Sequence, residues 1–346
     1  MIQPAVAVVI LNYNGRSLLQ QYLPSVLKYS EGTEVYVADN ASTDNSVQFI
    51  KKEFPQVKLI EMTSNAGFAG GYNVALLSVK ADYFILLNSD VEVTQGWIDP
   101  VISLMERDKS IAACQPKLLA YREKDTFEYA GACGGFIDKY AYPFCRGRLF
   151  NELEKDQAQY NDVREVFWAT GACMFVRADV YRELQGFDAD YFAHMEEIDL
   201  CWRMKNTGHK IYAVPSSVVY HLGGGTLSAL SSNKTYLNFR NNLVTFTKNY
   251  PGARWFWILL VRLVLDGVAG VKFLFEGRPR HTWAVVRAHW AYYLSLPSSL
   301  RKRREMKNRK DFHSSLNGMY RGNVVSDFYL GKIRTFDKLA KEKFIA

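Results

Sequence analysis

The chain has 346 residues, 48% hydrophobic and 23% charged, which excludes a disordered polymer and allows one large α/β domain with a smaller appendage. Net charge is +8 but uneven: from Lys248 onward there are 20 Lys and Arg against 7 Asp and Glu, so the preceding part is mildly acidic. A basic tail on an acidic body points to nucleic acid or an anionic membrane surface, with a merely solvated basic face as the alternative. The five cysteines (Cys114, Cys133, Cys145, Cys173 and Cys201) form no CxxC pair and are odd in number, which fits a reduced compartment better than a disulfide framework.

Ala5 to Leu11 is apolar but too short for a signal-peptide core, and is read as a first buried strand. A helical stretch follows from Arg16 to Lys28, then a strand from Val35 to Ala38. Ser42 to Asp44 offer capping chemistry for a helix running through Phe54. Val57 to Ile60 is a third strand. Asn65 to Gly71 is a glycine-rich turn opening another helix, and Tyr83 to Leu87 is a fourth strand. Short apolar runs alternating with helices predict a mainly parallel sheet covered on both faces. Residues 117–166 are less regular and read as insertions or an acceptor-side lobe. Order returns with a strand from Cys173 to Val176, a helix from Ala178 to Leu184, and another from Glu196 to Asn206 with Gly208 as its stop. A strand from Lys210 to Val214 follows, and the chain beyond Asn238 reads as helical.

Polar residues sit immediately after strands: Asn12 and Asn14, Asp39 and Asn40, and Asn88-Ser89-Asp90. Ligands of open α/β sheets bind outside the carboxyl ends of the strands, so these residues are expected to converge on one crevice. Asp39 is suited to accept the imide N–H of a uracil or thymine, or else to cap a helix. A carboxylate such as Asp90 at a strand end can bind a divalent cation that bridges diphosphate oxygens, or serve a turn. In Asn65-Ala66-Gly67-Phe68-Ala69-Gly70-Gly71-Tyr72-Asn73 the glycines allow close backbone approach, and the following helix N-terminus favours anions. The spacing is neither a Walker loop nor a Rossmann fingerprint. Glu196, Glu197 and Asp199 open a helix, where acids serve the dipole or supply a general base. His221, before a glycine run 223–225, is placed to ligate metal or to play a structural part.

These segments, with Ala169-Thr170-Gly171-Ala172-Cys173 and Glu196-Glu197-Ile198-Asp199-Leu200-Cys201-Trp202-Arg203, occur in an order that resembles the family-2 glycosyltransferases, especially their bacterial rhamnosyltransferase-like branch. The resemblance covers residues 5–245. It implies a GT-A fold and a UDP- or dTDP-sugar donor. It also implies Asp39 at the base, Asp90 and His221 on Mg2+ or Mn2+, and Glu197 as the base that deprotonates the acceptor hydroxyl, with Glu196 the second candidate. Asn12, Asn14, Asn40, Asn65, Gly67, Gly71, Asn73, Asn88 and Ser89 are expected around the nucleotide-sugar. Two features depart from the family pattern: the DxD motif begins with Asn88, and the acidic pair is Glu-Glu where many relatives have Glu-Asp. The chemistry implied is a direct displacement that inverts the anomeric centre, on a saccharide or lipid-linked saccharide acceptor in cell-surface polysaccharide or glycolipid synthesis.

Residues 1–245 are expected to form the catalytic domain and 246–346 a basic helical region. Trp255 to Phe275 is interrupted by Arg262, Asp266 and Lys272, too often for a comfortable membrane span. With Trp255, Trp257, Trp283 and Trp290 it suits helices in the membrane interface, Arg301-Lys302-Arg303-Arg304 meeting anionic headgroups on the cytoplasmic face. The alternative is an appendage packed on the catalytic domain. No nucleic-acid motif is present, and no nucleic-acid partner is expected. The other functional readings are a nucleotidyltransferase and a non-catalytic sugar-nucleotide-binding protein.

Overall fold

The computed structural model describes residues 4–223 and 231–345. Alternating strands and helices open the chain: β1 (Val6–Asn12), α1 (Arg16–Tyr29), β2 (Glu34–Asp39), α2 (Ser46–Glu53), β3 (Lys58–Glu61), α3 (Gly67–Leu76) and β4 (Tyr83–Asn88). Then come β5 (Val91–Val93), α4 (Asp99–Arg107), β6 (Ile111–Ala120), and short strands β7 (Gly135–Asp138), β8 (Pro143–Cys145), β9 (Arg148–Leu149), β10 (Glu152–Leu153) and β11 (Arg164–Glu165). The large sheet's last elements are β12 (Cys173–Arg177), α5 (Ala178–Glu183), α6 (Glu196–Lys205) and β13 (Lys210–His221). The remainder is α7 (Ser232–Asn249), α8 (Trp255–Phe275), α9 (Pro279–Lys307), β14 (Met319–Tyr320) and α10 (Val324–Tyr329).

The large sheet has the order β11-β13-β6-β12-β4-β1-β2-β3, with β5 paired on β13. Strands β4, β1, β2 and β3 are mutually parallel, as expected of a βαβ series. Beyond β4 the sheet is mixed rather than mainly parallel: β12 runs antiparallel to both β4 and β6, while β13 is parallel to β6. The inner strands are buried along nearly their whole length because helices cover both faces. Leu19, Leu23, Ile50, Val101 and Met105 of α1, α2 and α4 fill one face, and Tyr72, Tyr181, Trp202 and Phe246 of α3, α5, α6 and α7 fill the other.

Strand β13 is longer than the Lys210–Val214 run suggested. Pro215 lacks an N–H and breaks the ladder, and the register shifts between Val214 and Val218 before pairing resumes to His221. That continuation carries His221 across to the β4–β5 turn. The irregular stretch 117–166 supplies most of a second sheet, β10-β9-β8-β7-β14, whose last strand comes from the tail. The expected boundary between residues 245 and 246 falls inside α7, and Phe336 and Phe344 pack on Phe136 in the core beneath the small sheet. The tail is therefore helical only in part and is packed onto the body of the preceding chain. All five cysteines are free and buried.

The third acid of the Glu196–Asp199 cluster does more than serve a helix dipole. Asp199 is fully buried and accepts from Arg203 Nε (2.9 Å), Asn249 Nδ2 (2.7 Å) and Tyr191 Oη (3.2 Å), with Lys248 Nζ at 2.9 Å. Lys248 also bonds Asp188, which Lys302 reaches at 2.7 Å. Burial opposes charge on Asp188 and Asp199, but Lys248, joined by Lys302 at the first and Arg203 at the second, outweighs it and holds both below the usual carboxylate range. A depressed carboxylate stabilises above its unfolded value and loses that contribution as pH falls through the folded one. Asp199→Ala strands buried cations and is expected to cost about 3–5 kcal/mol in chemical denaturation, with weaker acid sensitivity between about pH 4 and 2 than the parent. A loss under about 1 kcal/mol would contradict this role.

Candidate active site

The loops after β1 and β2 are bonded to each other. Asn12 pairs in register with Asp39, and its Nδ2 donates to Asp39 Oδ1 (2.9 Å) and Ser42 Oγ (3.1 Å). Asp39 Oδ2 accepts the Ser42 N–H at 2.9 Å. Asn14, at φ 51°, turns its Oδ1 onto the N–H groups of Thr43 (2.7 Å) and Asp44 (3.2 Å). Asn12 Oδ1 is buried without a partner among the described residues, beside Gly15, where a Cβ would sit 2.5 Å from it. Asn40 holds the glycine loop: its Nδ2 donates to Asn65 Oδ1 (3.0 Å) and Gly67 O (2.9 Å), and its Oδ1 accepts from Ala66 N–H (3.0 Å). Gly71 lets α3 close on the sheet, because a Cβ there would meet Leu11 at 2.9 Å.

Two expectations for this loop need revision. The first amides of α3 do not await an anion: Phe68 and Ala69 N–H donate to Phe192 O at 2.7 and 3.3 Å. Asn73 is engaged away from the strand ends, donating to Phe187 O (2.7 Å) and accepting from Phe187 N–H (2.9 Å) and Tyr181 Oη (2.7 Å). It ties α3 to the α5 loop.

Asn88 lies beside Leu11 at the end of β4, and its N–H donates to Ala172 O at 3.0 Å. Ser89 Oγ is 3.7 Å from a Cβ built on Gly15, so the β1 and β4 loops adjoin. Asp90 and His221, remote in sequence, meet with Oδ1 and Nε2 3.1 Å apart, both nearly buried. Leu222 N–H donates to Asp90 O (3.0 Å) and fixes the junction; Gly224 and Gly225 lie outside the described residues. On the other side of the ring Glu128 Oε1 is 3.3 Å from His221 Nδ1. Burial opposes charge on the imidazole, but Glu128 and Asp90 prevail and lift it to about 10. Two ligand atoms about 2.1 Å from an octahedral ion, on adjacent corners, lie about 3 Å apart. The 3.1 Å contact is a hydrogen bond in this structure, and the same spacing would let both side chains reach one Mg2+ or Mn2+ once the ring gave up its Nε2 proton. No group of three or more His, Cys, Asp or Glu that could by itself hold a metal ion is found among the described residues.

The acidic pair lies at the same edge. A Cβ on Gly171 would sit 3.3 Å from Phe68 and 3.9 Å from the Glu197 Cβ, and Gly171 precedes the Ala172 that accepts from Asn88. Glu196 is buried and Glu197 half-buried, and each has an Oε2 without a partner among the described residues. Burial raises Glu197 to about 7, and burial plus the charge of Glu197 raises Glu196 further. His194 Nε2 is likewise unpartnered, and burial, helped by Lys234, lowers that ring to about 4. Unpaired buried polar atoms are rare in folded proteins, and among the described residues Asn12, His194, Glu196, Glu197 and His221 each carry one.

The loop before the pair is strained, with Phe192, His194 and Met195 at φ 63°, 69° and 73°. Such backbones cost about 1–3 kcal/mol each and persist only when the surroundings hold them. Asn241 of α7 does so: its Nδ2 reaches the carbonyls of Tyr191 (3.2 Å), Ala193 (2.9 Å) and His194 (2.7 Å). Sequence reasoning missed both Asn241 and Glu128. The run Asn241-Asn242, buried within a helix, was a usable signal for the first; Glu128 had none. Asn241→Ala should leave the carbonyls of Ala193 and His194 short of a donor, cost about 1–3 kcal/mol in stability, and lower turnover by at least tenfold. Parental turnover in a folded Asn241→Ala protein would show that the loop holds itself.

The profile of "Glycosyl transferase family 2" matches residues 7–184. The chain is similar to the N-acetylglucosaminyl-diphospho-decaprenol L-rhamnosyltransferase of Mycobacterium tuberculosis, 28% identical over 232 residues, covering 62% of this chain and 75% of that protein. Among solved structures it resembles S. aureus TarS 1-349 in complex with UDP-GlcNAc, with TM-score 0.54, 14% identity, and 88% and 90% of the two chains covered. It also resembles GalNAc-T7 with UDP, GalNAc and Mn2+, with TM-score 0.53 and 18% identity, over 71% of this chain but only 48% of that one. At these identities the structural likeness is one of fold, and the fold is GT-A. The chain belongs to glycosyl transferase family 2 and is a glycosyltransferase.

Proposed function

We propose that this glycosyltransferase moves a sugar from a UDP- or dTDP-sugar to a hydroxyl of a lipid-linked saccharide, with inversion, in cell-surface polysaccharide or glycolipid synthesis. The observation that carries the reading is that Asp90 and His221 meet at 3.1 Å, and that Glu196 and Glu197, each with an unpartnered carboxyl oxygen, open the helix packed against the neighbouring Gly171. Asp39, held at the end of β2 by Asn12 and Ser42, is the acceptor for the imide N–H of the base. Asp90 and His221 would hold Mg2+ or Mn2+, which would supply positive charge to the donor diphosphate. The mycobacterial relative supports a diphosphate-lipid acceptor.

Glu197 is the general base. It is the more exposed acid of the pair, and with its carboxyl lifted to about 7 it ionises before Glu196. A base with that value is half available at neutral pH and still strong enough to take the acceptor proton as the hydroxyl attacks. A raised carboxyl acts only above its own value, so kcat/KM should climb through about pH 7 and level off above it. Glu197→Gln should lose about 10²–10⁴-fold in turnover and lose that rise, while UDP binding by calorimetry is kept. Glu196→Gln should lose less. Near-parental turnover in Glu197→Gln, with Glu196→Gln inactive, would reverse the assignment.

The helical tail supports a membrane-surface location on the cytoplasmic side. Of the three charges that interrupt α8, Lys272 is exposed but Arg262 and Asp266 face inward. Arg262 and Asp266 are buried and paired at 2.8 Å, and Arg262 also donates to Tyr140 O at 2.8 Å. Turned inward, they leave Trp257, Val264, Val268 and Phe275 on the outer side of α8, with Trp283, Trp290 and Leu294 exposed on α9; Trp257 is 69% and Trp290 68% exposed. No helix among the described residues is long and apolar enough to cross a membrane. An aromatic stripe with Arg280, Arg287, Arg301 and Arg304 exposed on α9 fits in-plane docking on anionic lipid. The basic run contributes only in part, because Arg303 is buried, donating to Thr247 O (2.9 Å), and Lys302 bonds Asp188 and Asp190. The protein should float with phosphatidylglycerol vesicles at low salt, and Trp257→Glu with Trp290→Glu should abolish flotation while turnover on a soluble acceptor is unchanged. Flotation by the double variant, or a dimer through this face in light scattering, would overturn it.

A further inference from the structure

We infer that Glu128 is a positioning residue that sets the orientation and proton placement of His221 so that Nε2, the nitrogen facing Asp90, is the one offered to the cation. This rests on the reading of Asp90 and His221 as cation ligands. Glu128 lies in the chain between β6 and the small sheet, outside every motif that marked the crevice. It is 4% exposed, and a buried carboxylate is costly unless something compensates it.

Three contacts fix it. Its N–H donates to Leu118 O at 3.0 Å, anchoring the backbone to β6. One carboxylate oxygen accepts from the N–H of Ala130. The other, Oε1, lies 3.3 Å from His221 Nδ1, at ion-pair distance, and Nδ1 is buried with no hydrogen-bond partner among the described residues, so Glu128 Oε1 is the acceptor within reach of a proton there. Gly223, at φ +68°, leaves room for this arrangement: a Cβ there would sit 2.9 Å from Glu128 Oε1.

The chemistry follows from the two sides of one ring. An imidazole that ligates through Nε2 must carry its proton on Nδ1, and the group accepting that proton selects the tautomer, orients the ring and makes Nε2 a better donor. Asp90 Oδ1 stands 3.1 Å from Nε2 and Glu128 Oε1 stands at Nδ1, so the carboxylate–histidine–ligand line runs Glu128, His221, Asp90. Glu128 touches neither donor sugar nor acceptor in this scheme. It acts through the ring.

The test is Mn2+ binding, read from the electron paramagnetic resonance signal of free Mn2+ with UDP present, for the full chain and for Glu128→Ala and Glu128→Gln. Loss of such a partner typically weakens metal binding by about 10–100-fold, which is the result expected for Glu128→Ala. Glu128→Gln keeps an acceptor oxygen but no charge and should fall between. UDP binding without metal should be the same in all three. Nitrogen-15 NMR of the Mg2+-loaded parent should show His221 protonated at Nδ1, a readout that stands if Glu128→Ala fails to fold. Parental Mn2+ affinity in a folded Glu128 variant, or a proton on Nε2 in the loaded parent, would overturn the inference. Unchanged Mn2+ binding in Asp90→Ala would overturn the cation reading beneath it, whereas failure of sugar transfer with Mn2+ binding intact would count against the proposed donor or acceptor alone.

Discussion

Four donors converge on the carboxylate of Asp199, which has no access to water. An ionised group in that position is tolerable only if cations and hydrogen bonds replace its hydration. Arg203, Lys248, Asn249 and Tyr191 do so, and in doing so they bind α6 to α7 and to the loop at residues 188–195. Everything on the acidic side of the site hangs on that junction. Glu196 and Glu197 are the first residues of α6, and the strained loop that presents them is tied down from α7 by Asn241. The same helix acids therefore divide their work, with Asp199 turned into the fold and its two neighbours left with unpartnered oxygens.

The opposite side of the site is organised by strand order. Parallel pairing brings the ends of β2, β1 and β4 level, so Asp39, Asn12 and Asn88 arrive together without long-range design beyond register. His221 reaches them differently. It depends on β13 recovering its pairing with β6 after the break at Pro215 and continuing to the β4–β5 turn. A carboxylate–imidazole pair thus joins an early loop to a late strand, and α6 joins both through Gly171 and Ala172. Chemistry of the group-transfer kind needs such an arrangement, with leaving-group stabilisation and proton acceptance held by separate elements of one rigid frame.

Much of this frame is legible in the amino-acid sequence. Polar residues that follow apolar runs mark strand ends, so Asn12, Asp39 and Asp90 fall on one edge from pattern alone. The order of motifs identifies the family. What pattern does not reveal is which polar groups are spent inside the fold. Asn73 sits in the right motif, but its amide is consumed by Phe187 and Tyr181. Arg262 and Asp266 look like interruptions of an apolar surface, yet their spacing of four on a helix lets them pair inward and leave the outer face more apolar than the sequence implies. Glu128 reaches His221 across a fold that brings distant segments together, and no local signal announces such a contact.

In the proposed mechanism one carboxylate takes the acceptor proton while the diphosphate is held apart from it, so that attack and departure occur in a single displacement. An enzyme built this way has no use for a covalent sugar intermediate, because neither Glu196 nor Glu197 is asked to attack carbon. The direct measurement is the anomeric configuration of the transferred sugar, read by proton NMR in the first product formed. The configuration opposite to that of the donor is the predicted result. The donor's own configuration in the product would contradict the single displacement and the role given to Glu197.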